Sequence, residues 1–323
     1  MKIKKLISVL ICLCLAALTA GCAQREKTAD VKIAVIVKSL DSQFWQSVKK
    51  GVMAAATEYN VDVTFEGPDN EEDDTTQNKM IENAVYNGAD AIVLSAVNYY
   101  SSASAVDAAA DKGVKIVTID SDSYSDKVKM FIGTDNKAAG IAAGKCVVGL
   151  TDKRTDINIG IVNYYDKADN AILREQGFKE YINSFSGVRV VSEINVGSNE
   201  KSATDGALKM LNDNPEINVI IGFNEWTTLG AANAVKIAGV KDTVHCVGFD
   251  SNLSTVEMLE TGETDVLVVQ NPFAIGYLGV KNAAELVRGK DTVGTSDIFT
   301  GVITVTKDNM FDAEVQKILF NFN

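Results

Sequence analysis

Histidine is almost absent from this sequence, which has 323 residues and a single histidine, His245. That residue lies inside the strand-like run 244–249, and no cluster of metal-ligating residues surrounds it in the sequence. A zinc site needs a cluster of histidine, cysteine or acidic ligands, and a Ser-His-Asp triad needs a histidine beside its partners. The sequence therefore argues against both kinds of centre.

Motifs of common nucleotide-binding and catalytic folds are absent as well. The sequence contains no G-x-G-x-x-G after a strand, no G-x-x-x-x-G-K-[ST] and no nucleophile elbow. Positive charge is also scarce, because 31 basic residues face 43 acidic ones and the net charge is −12. Such a surface repels nucleic acid and anionic lipid, so we expect neither as a direct partner.

A long apolar segment is missing too, but a short one opens the chain. Three early lysines precede the uncharged run 6–20. This run is shorter than the roughly 20 residues of a bilayer span and suits a secretory signal. It ends in Leu-Thr-Ala-Gly-Cys, and Cys22 resembles the lipidated cysteine of bacterial lipoproteins, although Thr19 stands where leucine is commonest. The alternative is an ordinary signal peptide followed by a chance cysteine.

We therefore expect residues 1–21 to be a lipoprotein signal peptide and 22–30 a polar tether. The chain would be exported and lipid-anchored through Cys22 to the outer face of the cytoplasmic membrane. Its mature form would carry a net charge of −15, because the segment removed holds three lysines and no acidic residue. Cys146 and Cys246 lie in apolar patterns, which favours two buried free thiols over a disulfide.

From Val31 onward, short β-rich runs alternate with helical patterns. Strands are predicted over 32–37, 61–65, 91–95, 115–119, 129–132, 157–162, 188–194, 219–222, 244–249 and 265–269. Asp41-Ser42 and Thr75-Thr76 offer N-caps for the first two helices. Continuous apolar strands separated by amphipathic helices indicate parallel sheets covered on both faces, an α/β fold.

The second half of this pattern repeats the first. The strand ending at Ser95 is followed 25 residues later by Asp120, and Asn224 is followed 26 residues later by Asp250. Two copies of one plan predict two similar lobes.

Polar residues follow the predicted strands in both halves. They are Lys38, Ser95, Asp120, Asn163, Asn224, Asp250 and Gln270. Ligands of open parallel sheets bind beyond the carboxyl ends of the strands. Carboxylates and amides there could each bridge neighbouring hydroxyls of a sugar or polyol. Turn formation or helix capping is the alternative role for any one of them.

Two aromatic residues at the start of the first helix could cover the apolar face of a sugar ring. Phe44 fits the buried helical stripe, so Trp45 is favoured as the exposed plate, with core packing as the alternative for either residue. Asp120 and Asp250 could also serve a glycosidase as acid and base. Neither has a companion acid at a telling spacing, so we expect no enzyme, no catalytic residue, no metal and no cofactor.

These motifs resemble the type I periplasmic binding proteins for sugars, such as the ribose and galactose receptors, over residues 31–305. The most specific pieces are 41–45, 118–120, 132–136, 174–178, 247–250 and 270–272, together with Asn224. The resemblance implies two Rossmann-like lobes joined by three crossovers. The first lobe would combine residues 31–134 with 271–298, and the second 135–270 with 299–323.

The resemblance also implies ligand-binding positions at Asp120, Asn224, Asp250 and Gln270. Ser42, Phe44 and Trp45 would form one wall of the site. Ser121 stands where ribose receptors carry an arginine, and Ile172 stands where a second arginine is expected. These departures argue against ribose itself and leave Arg174 as either a ligand contact or a surface residue.

A second resemblance, to the autoinducer-2 receptor group, rests on Lys38, the run 61–68 and Asp120-Ser121-Asp122, with Asn170 near a ligand-contacting pair of that group. The complete predicted site is Lys38, Ser42, Phe44, Trp45, Ser95, Asp120, Ser121, Asn170, Arg174, Asn224, Asp250 and Gln270. The expected ligand is a monosaccharide or polyol, with a furanosyl autoinducer as the alternative.

The same ligand-binding fold serves LacI-type repressors, but an export signal stands here where those have a DNA-binding headpiece. We therefore expect an ABC permease in the membrane as partner, with an extracytoplasmic sensor kinase as the alternative.

Overall fold

The computed structural model describes residues 31–150, 156–290 and 296–319. A first sheet contains β1 (Lys32–Ile36), β2 (Asp62–Glu66), β3 (Ala91–Leu94), β4 (Lys115–Ile119), β5 (Phe131–Thr134) and β11 (Ile298–Thr300). The strand order is β11-β5-β4-β3-β1-β2, and each neighbouring pair is parallel. Its central strands are apolar on both faces, as expected for a sheet covered by helices on two sides.

A second sheet repeats this arrangement. It contains β6 (Ile157–Asn163), β7 (Val188–Asn195), β8 (Val219–Gly222), β9 (His245–Phe249), β10 (Val266–Val269) and β12 (Ile303–Thr306). The order is β12-β10-β9-β8-β6-β7, and only the pairing of β10 with the edge strand β12 is antiparallel among the described strands. The predicted α/β fold with two parallel sheets is confirmed.

Helices cover both faces of each sheet. They are α1 (Gln43–Tyr59), α2 (Asp74–Tyr86), α3 (Ala103–Asp111), α4 (Asn136–Leu150), α5 (Asp169–Ile182), α6 (Glu200–Asp213), α7 (Glu225–Ala238), α8 (Leu253–Thr261), α9 (Pro272–Val287) and α10 (Ala313–Leu319). Residues of α1 and α9 share one apolar core with the first sheet, while α2 and α3 contribute to a separate core. In the second sheet, α4 and α5 contribute to one core, and α6 and α7 to another.

Each sheet with its helices is called a lobe below. The chain passes between the lobes three times, after β5, after β10 and between β11 and β12. The lobe limits 31–134 with 271–298 and 135–270 with 299–323 stay a prediction, and β11 itself extends to Thr300.

The helix caps show how the sequence sets the loops that follow the strands. Ser42 caps α1 as predicted, since its side chain accepts a hydrogen bond from the amide of Trp45. The prediction of Thr75-Thr76 as the second cap was wrong. Asp73 caps α2 instead, and its carboxylate accepts from the amide of Thr76 at 2.9 Å. A carboxylate is a stronger acceptor for the free amides of a first helical turn than a hydroxyl.

Several predictions concern other parts of the chain. Cys146 and Cys246 are both free, but only Cys246 is fully buried. Burial raises the pKa of the Cys246 thiol to about 12. The signal peptide, Cys22 and the tether lie outside the described residues. Within the described part, no helix has the length and apolar character needed to cross a membrane.

Candidate functional site

A small cavity of ≈ 30 Å³ lies between the two lobes, at the carboxyl ends of both sheets. Its lining consists of Lys38, Ser42, Phe44, Trp45, Glu71, Asp120, Tyr164, Asn170, Arg174, Asn224, Glu225, Trp226, Asp250 and Gln270. The two lobes leave little free space between them in this closed arrangement. The site therefore suits a ligand of small size.

Asp120 and Asp250 occupy equivalent places in the two lobes. Each follows a central strand, β4 in the first lobe and β9 in the second, and each is more than nine-tenths buried. Both also have left-handed backbones, with φ of 59° and 68°. Aspartate is one of the few side chains that enter this conformation readily. The two lobes thus present their carboxylates to the cavity through the same backbone turn.

Asn170, at the start of α5, connects the second lobe to polar groups of the first. Its amide nitrogen lies 3.2 Å from both carboxylate oxygens of Asp120. Its side-chain oxygen accepts from Lys38 Nζ at 3.0 Å and from the hydroxyl of Tyr164 at 2.8 Å. Lys38 Nζ is also 3.6 Å from the Asp120 carboxylate. This network joins the lobes on one side of the cavity.

Arg174 is a buried residue of the cavity wall, so the alternative of a surface helix residue was wrong. Its Nε donates to Asn136 at 2.9 Å and its Nη1 donates to the carbonyl of Phe223 at 2.8 Å. The guanidinium carbon lies 4.9 Å from the centre of the Phe249 ring. Nη2 is buried and has no hydrogen-bond partner within the described structure. This nitrogen is therefore a fixed donor that a ligand could satisfy.

Gln270 follows β10 and connects the carboxylate of Asp250 to the first lobe. Its Nε2 donates to Asp250 Oδ1 at 2.6 Å, and its Oε1 accepts from Thr134 Oγ1 at 2.7 Å. Thr134 ends β5, where the chain leaves the first sheet. The orientation of Asp250 therefore depends on a contact made at a crossover.

Two predicted site residues cap helices and also line the cavity. Ser42 caps α1, and Asn224 caps α7 by accepting from the amide and the hydroxyl of Thr227 at 2.9 Å. The capping bonds occupy Asn224 Oδ1, whereas its amide nitrogen remains available as a donor. Capping and ligand contact, set apart as alternatives from the sequence, are compatible at these two positions.

The aromatic wall predicted for the site is present. Phe44 and Trp45 both line the cavity, and Trp45 is only 2% exposed in this closed arrangement, so its role as the aromatic plate stays a prediction. Its indole Nε1 donates to Glu71 at 2.8 Å, and its ring meets that of Phe44 edge to face at 4.9 Å. A buried indole requires such a partner for its N–H, and Glu71 supplies it.

Ser95, Ser121 and Asn163 are not among the residues that line this cavity. Ser95 instead donates to the carboxylate of Asp120 at 3.0 Å and helps to hold it. The carbonyl of Ser121 accepts from the amide of Ala96, a contact that keeps this residue within the first lobe. Asn163 donates to Glu175 at 2.6 Å on the outer side of α5. A place after a strand therefore did not suffice to bring a side chain into the site.

Four lining residues were missed from the sequence: Glu71, Tyr164, Glu225 and Trp226. Glu225 and Trp226 come directly after the cap of α7, as Phe44 and Trp45 come shortly after the cap of α1. Extending the comparison of the two halves to these caps would have found them. Glu71 lies in the loop before α2 and carried no such signal.

The electrostatics of the site are set mainly by burial. Desolvation raises the pKa of Glu225 to about 7, against hydrogen bonds from Asn252 and from the amide of Phe44. Desolvation also raises the pKa of Glu71, although Lys38 opposes it, and that of Asp250, although Arg174 opposes it. A phosphate or carboxylate would meet these acids at close range, whereas neutral hydroxyls could donate to them.

The structure is closed around the cavity. At its edge, Glu225 Oε2 accepts from the amide of Phe44 at 3.3 Å and Gln43 accepts from the amide of Leu253 at 3.1 Å. Elsewhere between the lobes, the amide of Ser198 donates to Glu72 at 2.7 Å. Each of these bonds joins the two lobes, so a ligand could enter only if some of them opened.

Comparison with known proteins agrees with the fold described above. A family described as periplasmic binding protein domain matches residues 33–291. The D-ribose/D-allose-binding protein of Pseudomonas aeruginosa is 27% identical over 303 residues, covering 88% of this chain and 91% of the relative.

Solved structures agree with this match. A carbohydrate transporter solute binding protein from Agrobacterium radiobacter, in complex with D-arabinose, has a TM-score of 0.86 and 29% identity, covering 90% of this chain and 99% of that one. An ABC transporter solute binding protein from Agrobacterium vitis with bound D-fucose has a TM-score of 0.85 and 33% identity, covering 89% and 99%.

Proposed function

This chain belongs to the type I periplasmic sugar-binding protein family, and from that premise we propose that it captures a monosaccharide or polyol in the interlobe cavity and delivers it to an ABC importer. The relatives named above are binding and transport proteins. We accordingly assign the matching geometry of the two strand ends to binding and assign no catalytic step to it.

One observation carries the proposal. Asp120 and Asp250 reach the same small cavity from opposite lobes, and Arg174 lines it as well. The Nη2 of Arg174 makes no hydrogen bond in the described structure and lies 4.0 Å from Asp120 Oδ1. Each carboxylate oxygen can accept from a sugar hydroxyl, and Nη2 can donate to one. A ligand bonded to both aspartates stabilises the closed arrangement, because an open cleft would separate them.

The ligand class follows from size and charge. The relatives are named for, or solved with, five- and six-carbon sugars. The small cavity and its buried acids support a neutral ligand of that kind. The autoinducer alternative gains less support, because Lys38 and Asn170 line the cavity whereas Ser121 and Asp122 do not.

A thermal-shift screen of the chain from residue 31 onward tests this function. The panel is D-ribose, D-allose, D-xylose, D-arabinose, D-fucose, the inositols and autoinducer-2. A ligand at 100 times its dissociation constant should stabilise the protein by about 2.7 kcal/mol. The Asp250→Asn variant serves as control, since it should lose about half of the shift or more. No shift with any sugar or polyol would refute the proposal.

We further propose that Cys22 carries the lipid that holds the exported protein at the outer face of the cytoplasmic membrane. The wild type should fractionate with membranes and Cys22→Ser should be released or stay unprocessed, because lipid chains supply the anchoring free energy. Cys146→Ser is the matched control and should remain membrane-bound. A wild-type protein that is free in the medium with Ala23 or a later residue at its amino terminus would contradict the anchor.

A further inference from the structure

Glu71 lines the interlobe cavity from a loop, and the binding described so far gives it no role. It lies between β2 and α2, and it also lines a neighbouring cleft, which shares Glu71 and Trp226 with the cavity. The side chain is only 9% exposed, although both spaces reach it. A carboxylate that is buried to this degree needs partners for its oxygens.

The described part of the protein supplies a partner for only one of these oxygens. Glu71 Oε1 accepts from the indole Nε1 of Trp45 at 2.8 Å. Oε2 makes no hydrogen bond to a described residue, and it is not among the enclosed side-chain atoms that lack a partner there. Oε2 therefore faces open space and is free to accept from a ligand.

The charges around Glu71 place its carboxylate at the cavity. Desolvation raises the pKa of Glu71, Lys38 opposes this rise, and Asp120 and Asp250 add to it. The charge of Glu71 in turn adds to the raised pKa of Glu225. These four neighbours all line the cavity, and they come from both lobes. The free oxygen of Glu71 thus lies beside the groups that we assign to sugar binding.

Trp45 fixes the direction in which this oxygen points. The Trp45 ring is 2% exposed and packs edge to face against Phe44, and its backbone amide donates to the cap residue Ser42. The indole that holds Oε1 is therefore itself held by the start of α1. An acceptor that is positioned before the ligand arrives loses little freedom on binding.

Building on the proposed function, we propose that Glu71 determines specificity by accepting a hydrogen bond from one hydroxyl of the bound sugar, on the side next to the neighbouring cleft. The ligand is thereby restricted to sugars with a free hydroxyl at that position. A deoxy sugar would leave the buried carboxylate oxygen without a partner. Sites that bond a substrate hydroxyl reject an analogue without it far more strongly than apolar pockets reject a missing methylene.

Titration calorimetry on the chain from residue 31 onward tests this inference by pairing protein variants with ligand variants. The probes are D-ribose, D-allose, D-xylose, D-arabinose and D-fucose, with the singly deoxygenated derivatives of the one that binds most tightly. Glu71→Gln keeps an acceptor for Trp45 and removes the charge. It should weaken binding of the parent sugar by about 10-fold, since a neutral group replaces a charged acceptor.

The deoxy derivatives distinguish a ligand contact from a structural role. Removal of one particular hydroxyl should weaken wild-type binding by about 30-fold, but binding to Glu71→Gln by only about 5-fold or less. Removal of any other hydroxyl should affect the two proteins equally, within about 2-fold. Glu71→Asp, which withdraws the carboxylate by one methylene, should give the same pattern and replaces the glutamine variant if that protein does not fold.

Glu82→Gln, at an exposed position of α2, is the matched control and should bind every probe as the wild type does. If Glu71→Gln and Glu71→Asp weaken the parent sugar and all derivatives alike, or bind them as the wild type does, Glu71 only supports Trp45. The inference is then refuted and the proposed function stands. If the wild type binds no sugar, both are refuted.

Discussion

Asp120 and Asp250 combine a backbone requirement with the binding role that we propose for them. Their positive φ values belong to a region in which a residue with an ordinary Cβ is disfavoured by roughly 1–2 kcal/mol. Asparagine tolerates this region nearly as well as aspartate does. Replacement by asparagine therefore removes the charge and keeps the turn, whereas replacement by alanine disturbs both.

We expect Asp120→Asn and Asp250→Asn each to weaken sugar binding by about 10- to 150-fold. Hydrogen bonds to a charged acceptor contribute roughly 1.5–3 kcal/mol, and 1.4 kcal/mol is a factor of about ten. Melting temperatures should change little, while the alanine variants should lose both affinity and stability. Calorimetry and thermal melts on the same proteins measure this.

Asp242→Asn, at an exposed position of the second lobe, is the control and should bind as the wild type does. If the asparagine variants keep full affinity and only melt earlier, the aspartates are loop residues without a role in binding.

Glu225 should make binding depend on pH. Its pKa is raised from 4.5 to about 7 by burial in the closed structure, where it faces Asp250, Glu71, Asn252 and the amide of Phe44. An open cleft would return it towards 4.5. Between pH 4.5 and about 7, Glu225 holds a proton in the closed state that it lacks in the open state. Closing therefore takes up protons, and the closed state loses stability relative to the open state as the pH rises through this window. Below pH 4.5, Glu225 is protonated in both states, and the closed state keeps this stability in full.

Calorimetric titration at pH 6 in buffers of different ionisation enthalpy should reveal this proton uptake. Glu225→Gln should reduce it, while Glu71 and Asp250, whose pKa values are also raised, supply the remainder. Proton release on binding, or an uptake that Glu225→Gln leaves unchanged, would contradict the account.

Prediction of single residues succeeded for some of the residues that follow a strand and failed where tertiary packing decided. The places of Lys38, Asp120, Asp250 and Gln270 followed from the strand ends. By contrast, Glu71 was missed, although it accepts from the Trp45 indole, because it lies in a loop 26 residues away. No local pattern encodes such a contact.

At the scale of elements, both lobes have glycines where two helices pack closely. In the second lobe, a Cβ on Gly140 of α4 would lie 2.0 Å from the carbonyl oxygen of Arg174, and one on Gly177 of α5 would lie 2.0 Å from that of Lys137. In the first lobe, Gly51 of α1 and Gly276 of α9 make the corresponding approach. The backbone that carries Arg174 is thereby held against α4.

Gly140→Ala should destabilise the protein by about 1–3 kcal/mol through overpacking and should also weaken sugar binding, because α5 carries Arg174 and Asn170. Gly149→Ala, in the same helix with open space around it, should be neutral or slightly stabilising. Denaturant unfolding and calorimetry compare the two. Equal stability of both variants would show that the close approach of α4 and α5 is unimportant.

Elements with continuous apolar runs were predictable, and short edge elements were not. The pattern located β3, β4, β8 and β10 within about a residue or two, because a buried parallel strand leaves no polar position. β5 begins two residues later than predicted. β11 and β12 are short and only partly buried, so their apolar pattern is weak and neither was predicted as a strand.

At the scale of the whole molecule, the repeated sequence plan predicted two lobes, and the structure has two sheets with the same strand order. The closed arrangement could not be predicted from that plan. Closure depends on a few bonds between lobes, such as those of Glu225 with Phe44 and of Glu72 with Ser198. These bonds are individually weak, and bound ligand selects among lobe orientations that differ by a few kcal/mol.

The most direct test of the account is a crystal structure of the chain from residue 31 onward, grown with the tightest sugar from the thermal-shift screen. We predict density for a sugar ring in the interlobe cavity, with hydroxyls within hydrogen-bond distance of Asp120, Asp250 and the Nη2 of Arg174. A sugar that binds in solution but lies outside this cavity, or contacts one lobe alone, would contradict the account.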